Sequence, residues 1–447
     1  MIGKHLSQAL DGPRDRIALV YGEKKFSFGE LAERAEALRN RWRELAGRRV
    51  GVAIHRPDAF IPAVTALDGL GAHAFLVGQR NDTEIDELKG DFGWYRVLRE
   101  ADVDATPLGE ASGAPPIGET VGMVTLLTSG TTGKPKAANH YWSSLGAPVR
   151  YDDRFRDKRW LCAYSFHLYA GTQVFLQALI SWAALVVPPE LEPRRIARLL
   201  HEAGVTHASG TPTLFRQILL FGAKDDLARC SLEQITLGGE AVPQPLLDEL
   251  TRVLPQTRLV HIYGSSEMGR LFVVTDRQEG FPARFLEDSP EPNVELKIVD
   301  GELWARSRVN AMIGYDGQKN VSDVDEGWFA TGDLVERVGE RVLWRGRRSD
   351  MINVGGRKVM PGPVERVLRA VPGVADVRVY AKRSSIVGQL VAADIVLAKG
   401  AVEADVRAAI ARAAETELVE HARPRIVNIV GELRRSEAFK VLRREES

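Results

Sequence analysis

Apolar positions along this chain switch repeatedly between a helical and an extended period. Ser27-Phe28-Gly29-Glu30 has the serine and glutamate spacing of a capping box, and Leu31, Ala35, Leu38, Trp42 and Leu45 follow on one helical face. Gly47 is placed to end that helix, because glycine enters the left-handed region without a Cβ clash. Residues 49–54 then predict a strand, a helix runs on through Leu70, and 74–77 predict the next strand. The order returns with a strand at 184–187, a helix at 193–203 closed by Gly204, and a strand at 205–208. Thr211 predicts a helix cap with Pro212 in the first turn, where a missing N–H costs nothing. Strand, helix and strand follow again at 234–237, 244–254 and 258–262. Such alternation predicts an α/β fold with largely parallel sheets, whose ligand loops follow the strand ends.

Beyond Gly280 the pattern changes. Residues 294–299 and 302–306, joined by Asp300-Gly301, predict a hairpin, and a second is expected around Gly339. From about Gly346 a smaller α+β unit is predicted, with helices at 363–370 and 403–418 and strands at 377–381 and 390–397. The expected division is therefore a large N-terminal domain, 1–346, and a small C-terminal domain, 347–447.

Composition narrows the function classes. With 44% hydrophobic and 27% charged residues the chain of 447 residues is ordinary globular material, long enough for two cores. Lys plus Arg equals Asp plus Glu at 60 each, which argues against an extended nucleic-acid surface. Cys162 and Cys230 cannot form a disulfide framework and fit a reducing compartment. The longest apolar stretch, 174–187, contains Gln177 and is shorter than the roughly 18 residues of a membrane span. With no signal-peptide pattern at the N-terminus, a cytoplasmic location without a membrane span is expected.

The candidate chemistry sits in loops. The apolar strand 123–127 runs into Thr128-Ser129-Gly130-Thr131-Thr132-Gly133-Lys134-Pro135-Lys136. Glycines let backbone N–H groups approach an anion, hydroxyls add donors and two lysines add charge, so the loop suits phosphate. It lacks the spacing of a Walker A loop. Further along come Gly238-Gly239-Glu240, Tyr263-Gly264-Ser265-Ser266-Glu267, Thr331-Gly332-Asp333, Gly346-Arg347-Arg348-Ser349-Asp350 and Arg434-Arg435-Ser436-Glu437-Ala438-Phe439-Lys440.

Taken in order, these strings resemble the signatures of the adenylate-forming superfamily, which includes acyl- and aryl-CoA synthetases, peptide synthetase adenylation domains and luciferases. The resemblance covers nearly the whole chain. It implies a large domain of stacked sheets and a small mobile C-terminal lid. It also implies activation of a carboxylic acid by ATP to an acyl-adenylate, with magnesium, pyrophosphate release and acyl transfer to coenzyme A. By the same resemblance Thr128, Ser129, Gly130, Thr131, Thr132, Gly133 and Lys136 contact phosphate. Gly239, Glu240, Tyr263, Gly264 and Ser266 border the adenine end, Glu267 holds magnesium, and Asp333 with Arg347 binds ribose. Asp350 is the hinge, Gly355 and Gly356 line the thiol tunnel, and Lys440 contacts the reacting carboxylate and phosphate. His167, the second catalytic candidate with Lys440, borders the reacting acid, within an acid pocket of His167, Tyr169, Gly171, Gly210, Thr211, Gly238 and Met268 that would suit an aromatic or medium acyl acid.

Three positions depart from the family pattern: Phe439 replaces a glycine before Lys440, Ser266 a threonine, and Ala137 a glycine. The chemistry explains the cations. A carboxylate must approach a polyphosphate, and one lysine 4 Å from a phosphate oxygen contributes about 4 kcal/mol at an effective dielectric near 20. Magnesium in turn favours hard oxygen ligands, commonly one carboxylate together with substrate phosphates. Two other readings stay open: loading of a separate carrier protein's phosphopantetheine thiol, and a non-catalytic nucleotide-binding module. Retention of Lys136, Glu267 and Lys440 disfavours the second.

Overall fold

The computed structural model describes residues 6–105, 122–128, 135–149, 151–288, 291–307, 312–317, 327–384 and 388–433. Two compact units divide the chain. The larger comprises Met1–Glu279, Ser289–Glu295 and Ala305–Phe329, and the smaller Gly280–Asp288, Leu296–Trp304 and Ala330–Ser447.

The larger unit holds two sheets. An eight-stranded sheet runs in the order Gly269–Val274, Arg258–Ser265, Gln234–Gly238, His207–Gly210, Arg159–Cys162, Ala184–Val187, Ile17–Tyr21 and Lys24–Ser27. Its interior pairs are parallel and its two outermost pairs antiparallel. A six-stranded sheet runs Gly314–Tyr315, Lys136–Tyr141, Met123–Thr128, His73–Leu76, Arg49–Ala53 and Arg96–Arg99, with antiparallel pairs only at its first end. Helices Pro57–Gly69 and Tyr169–Ile180 join one hydrophobic cluster with Val52, Leu76 and Leu126 of this sheet and Leu19, Cys162 and Leu185 of the other. Those two helices are apolar almost all round, as helices buried on several sides must be. Among the described residues no helix is long and apolar enough to cross a membrane.

Two further sheets follow, with most of their residues in the smaller unit. One orders Phe281–Pro282, Arg341–Arg347, Phe329–Val338, Glu302–Ser307 and Val294–Val299. The other orders Arg357–Val359, Ile352–Val354, Gly388–Leu397 and Val374–Ser384, with Ile426–Ile429 parallel to Gly388–Leu397. Helices Pro361–Arg369 and Glu403–Glu417 cover one face of that second sheet through Val364, Leu368, Val406, Ile410, Val377, Val379 and Ile395.

The expected α/β class is borne out, with local adjustments. The first capped helix is Phe28–Arg41 and its capping box forms, but Leu45 sits in a separate short 3-10 turn, Arg43–Leu45. The strand expected at 205–208 is His207–Gly210. Gly204, at φ 57°, turns the chain, and Val205 donates back to the Leu200 carbonyl, so these residues belong to the helix closure. The helix expected from 363 starts at Pro361, which occupies its first turn.

A charged cluster stabilises the smaller unit. The Asp394 carboxylate accepts from Arg378 Nε at 3.1 Å, the Tyr380 hydroxyl at 3.2 Å and Asn428 Nδ2 at 2.9 Å. The guanidinium also lies 4.4 Å from the Tyr380 ring centroid, and both charged residues are buried. Asp394→Leu would strand that guanidinium without its counter-charge. We expect a loss of about 3–5 kcal/mol in denaturant unfolding.

Candidate active site

Parallel strands place their carboxyl-terminal ends along one edge of a sheet. Register pairs Ser209 with Cys162, Gly210 with Leu237, and Gly238 with Ile262. Gly210-Thr211, Gly238-Gly239-Glu240 and Ser265-Ser266-Glu267-Met268 therefore leave neighbouring strands on the same edge.

Each turn is held by a polar partner. The Tyr164 hydroxyl donates to the Gly238 carbonyl at 3.2 Å, and burial pushes that phenol well above its usual range. Gly239 adopts φ 82°, which glycine alone accepts without strain. The Glu240 carboxylate accepts the Thr213 N–H at 3.1 Å, while Thr211 Oγ1 accepts that of Leu214 at 3.1 Å. Both contacts satisfy open donors at the start of helix Pro212–Phe221. In the next turn Ser265 Oγ accepts the Met268 N–H at 3.1 Å, and a Cβ on Gly264 would lie 2.6 Å from the Gly269 carbonyl. Tyr263 packs its ring on Phe272, with centroids 5.2 Å apart. Buried His140 donates through Nε2 to the Ser266 carbonyl at 2.8 Å.

Glu267 is half-buried, and its Oε1 accepts the Tyr315 hydroxyl at 3.1 Å. Its backbone carbonyl accepts the Met312 N–H at 2.7 Å. Lys136 Nζ lies 5.1 Å from the Tyr315 ring centroid. Burial, then the Glu267 charge, raises the Tyr315 phenol above its ordinary value, so it remains a proton donor. Of the anion loop itself, Thr128 and Lys136 face one another across the antiparallel pair that opens and closes it, with Thr128 Oγ1 donating to the Lys136 carbonyl at 3.4 Å. Ser129, Gly130, Thr131, Thr132, Gly133 and Lys134 lie outside the described residues, as do Phe439 and Lys440. Among the described residues no three His, Cys, Asp or Glu side chains converge to hold a metal. Glu267 thus offers a single hard carboxylate, a donor set that suits magnesium when phosphate oxygens complete the shell.

His167, Tyr169 and Gly171 cluster at the start of helix Tyr169–Ile180. A Cβ on Gly171 would fall 2.1 Å from the Ser165 carbonyl, so only glycine fits this backbone approach. His167 is buried, with its ring 4.9 Å from that of His55 and 5.2 Å from that of Phe60. Burial, with the nearby His55 and Arg80, pushes its pKa down to about 3. It is a neutral imidazole at pH 7. Met268 is fully buried.

In the smaller unit Arg347 Nε donates to Asp333 Oδ1 at 2.8 Å across the antiparallel pair that carries both. The buried Glu302 carboxylate accepts the Gly332 N–H at 2.8 Å and pairs with Arg348 at 2.7 Å. Thr331 Oγ1 donates to the Leu303 carbonyl at 2.6 Å and accepts the Asp333 N–H at 3.1 Å. Asp350 ends the short helical turn Arg348–Asp350. Gly355 and Gly356, at φ 56° and 85°, form the turn between strands Ile352–Val354 and Arg357–Val359, with the Gly356 N–H donating to Asn353 Oδ1.

A family model for the AMP-binding enzymes matches residues 86–315, and one for the AMP-binding enzyme C-terminal domain matches 363–440. The chain belongs to the AMP-binding enzyme family. This AMP-binding enzyme is 26% identical over 468 residues to a 2-succinylbenzoate–CoA ligase of Bacillus cereus, across 96% of its own length and 95% of that relative's. Its fold matches an anthranilate–CoA ligase bound to anthranoyl-AMP, with a TM-score of 0.78 at 18% identity, covering 98% and 96% of the two chains. It also matches an o-succinylbenzoate–CoA synthetase of Bacillus subtilis in complex with ATP and magnesium, with a TM-score of 0.75 at 22% identity, covering 98% and 97%. The resemblance carried by the ordered motifs is thereby borne out.

Reading the sequence of this AMP-binding enzyme left four residues unremarked: His140, Tyr164, Glu302 and Tyr315. Each fastens a motif residue from a distant place in the chain, and no local spacing marks such a partner. Gly314-Tyr315 reads as a short apolar pair, and Glu302 as a polar residue at the exit of a hairpin turn.

Three buried histidines and the half-buried His73 give this enzyme a pH signature. Burial lowers His73, His140 and His207 to about 4, as it lowers His167 to about 3. An unfolded histidine titrates near 6.5. The unfolded chain therefore binds more protons below that pH, so stability present above it is lost as pH falls toward 4. The denaturation midpoint should drop between pH 7 and 5, while the His140 and His167 ring resonances stay at neutral positions from pH 5.5 to 8. Titration of either ring near 6.5 would contradict this assignment.

Proposed function

We propose that this protein joins a carboxylic acid to coenzyme A in two steps. In the first the acid's carboxylate oxygen attacks the α-phosphorus of ATP, the bond to the β-phosphate oxygen breaks, and pyrophosphate leaves. In the second a thiolate attacks the acyl carbon and AMP leaves, giving the thioester. The observation that carries this reading is the gathering of Glu240, Tyr263, Ser266 and Glu267 on adjacent turns at one sheet edge, with Lys136 next to Glu267's partner Tyr315. The relatives' names, CoA ligases for 2-succinylbenzoate and anthranilate, support the same chemistry and favour an aromatic acid.

Roles follow from what each side chain touches. Glu267, with one oxygen held by Tyr315, would hold magnesium, which supplies charge neutralisation at the phosphate oxygens. Lys136 and the residues 128–133 would bind phosphate. The turn at Gly239 and Glu240 would border adenine through its backbone, since the Glu240 carboxylate already accepts Thr213 N–H. Tyr263, beside Gly264, presents a ring suited to stacking on a base. Asp333, oriented by Arg347, would accept hydrogen bonds from ribose hydroxyls. We assign His167 to the border of the acid pocket as a neutral, apolar-facing ring, together with Tyr169, Gly171, Gly210, Thr211, Gly238 and Met268. His167 would exclude water there instead of transferring a proton, because its pKa lies far below neutrality.

The two steps need different groups at one carboxyl carbon. We therefore propose 1–346 and 347–447 as the functional division, with Asp350 as hinge, Lys440 serving adenylation, and Gly355-Gly356 serving the thiol step. A cytoplasmic location accords with two free cysteines and with a need for ATP and coenzyme A.

With magnesium and ATP, pyrophosphate should appear only when a suitable acid from a panel of aromatic and medium-chain acids is supplied. ADP with orthophosphate would refute attack at the α-phosphorus, and thioester formation on an added carrier protein but not on coenzyme A would reassign the acceptor. Lys440→Ala should slow adenylation by roughly a hundredfold, the scale of a lost preorganised electrostatic group. The same variant, given synthetic acyl-adenylate and coenzyme A, should form thioester at nearly the parent rate. Equal damage to both steps would remove Lys440 from this role.

A further inference from the structure

We propose that Tyr315 is the positioning residue that aims the Glu267 carboxylate at the metal and couples it to the strand leaving the anion loop; this rests on the reading of Glu267 as the magnesium carboxylate. Three observations converge. First, the Tyr315 hydroxyl donates to Glu267 Oε1 at 3.1 Å, and among the described residues it is the side chain recorded against that carboxylate. One oxygen is thereby held, and the other would serve as the ligand to an incoming cation. A carboxylate ligand so restrained keeps its geometry without a reorganisation cost at the moment of binding.

Second, Tyr315 is itself immobilised by backbone bonds on both sides. Gly314–Tyr315 pairs antiparallel with strand Lys136–Tyr141, placing Tyr315 opposite Ala138. The Ile313 N–H donates to the Asn139 carbonyl at 2.8 Å, and the Asp316 N–H to the Ala137 carbonyl at 2.9 Å. Asp316 is further anchored by Arg49 at 2.6 Å. The phenol thus stands on a fixed strand edge, and its hydroxyl reaches across to the turn after strand Arg258–Ser265. Met312, three residues earlier, makes a second tie to that turn by donating to the Glu267 carbonyl at 2.7 Å.

Third, the ring carries the lysine that closes the loop. Lys136 Nζ lies 5.1 Å from the Tyr315 centroid, inside the range of a cation–π contact. One aromatic side chain therefore touches both a cation suited to phosphate and a carboxylate suited to metal. Two opposite charges with complementary tasks on one nucleotide are held at a set separation without pairing directly, which would neutralise both.

The test separates the hydroxyl from the ring. Tyr315→Phe keeps the surface under Lys136 and removes the donor to Glu267. The measured quantities are ATP affinity with saturating magnesium and in EDTA, by calorimetry without acid, together with the thermal midpoint. Expected for Tyr315→Phe is about a tenfold loss of magnesium-dependent affinity, the lower end of what loss of an outer partner does to a metal site. Affinity in EDTA and the thermal midpoint should stay at parent values. Glu267→Gln should lose at least as much, and adding Tyr315→Phe to Glu267→Gln should cost nothing further. If Glu267→Gln binds MgATP like the parent, the metal reading of Glu267 falls. If Glu267→Gln is impaired and Tyr315→Phe is not, that reading stands and the positioning role falls. An equal loss in EDTA, or full additivity of the two substitutions, would also overturn it by making Tyr315 structural.

Discussion

Parallel strands end together, and the site depends on that constraint. Hydrogen-bond register in the eight-stranded sheet brings the ends of His207–Gly210, Gln234–Gly238 and Arg258–Ser265 side by side, so turns far apart in sequence become neighbours. The apolar helices beneath, Pro57–Gly69 and Tyr169–Ile180, keep the larger unit's two sheets in one hydrophobic cluster. With the sheet edge rigid, the loops need only short fasteners to acquire a definite shape.

Those fasteners are polar groups withdrawn from water. Tyr164 holds Gly238, His140 holds the Ser266 carbonyl, Glu240 caps the helix beginning at Pro212, and in the smaller unit Glu302 holds Gly332 and Arg348. A buried polar group without a partner costs more than its hydrogen bond contributes, so each contact selects one loop conformation over looser ones. Neutrality is part of the arrangement. His140 and His167 have pKa values far below 7, so neither adds a charge that would compete with Lys136 for an anion.

Two opposite charges meet at one aromatic ring. Glu267 and Lys136 carry opposite signs yet both touch Tyr315, a side chain that can accept a cation on its face and give a proton at its edge. In the smaller unit the Asp333–Arg347 pair sits on adjacent strands, where cross-strand register keeps the carboxylate oriented by one guanidinium nitrogen. Glu267 is held from the larger unit's other sheet, by Tyr315 on the strand paired with Lys136–Tyr141, and Asp333 within its own sheet, by Arg347 on the paired strand.

The sequence alone determined the α/β alternation, the hairpin at Asp300-Gly301 and the helix starts at Ser27 and Thr211, because periodicity, turn residues and caps act over a few positions. It also marked the loop residues themselves, since glycines, hydroxyls and charges cluster within each motif. Finer boundaries shifted where a local closure intervened, as at Gly204 and Val205. What only the tertiary structure decided were the partners: Tyr315 lies 48 residues from Glu267, His140 lies 126 from Ser266, and Glu302 lies 30 from Gly332. Tertiary structure also made His167 a buried neutral ring among His55 and Phe60, where the sequence resemblance marked only a residue bordering the acid. The physical reason is that desolvation and hydrogen-bond geometry depend on which surfaces the register brings together, and no spacing along the chain records that.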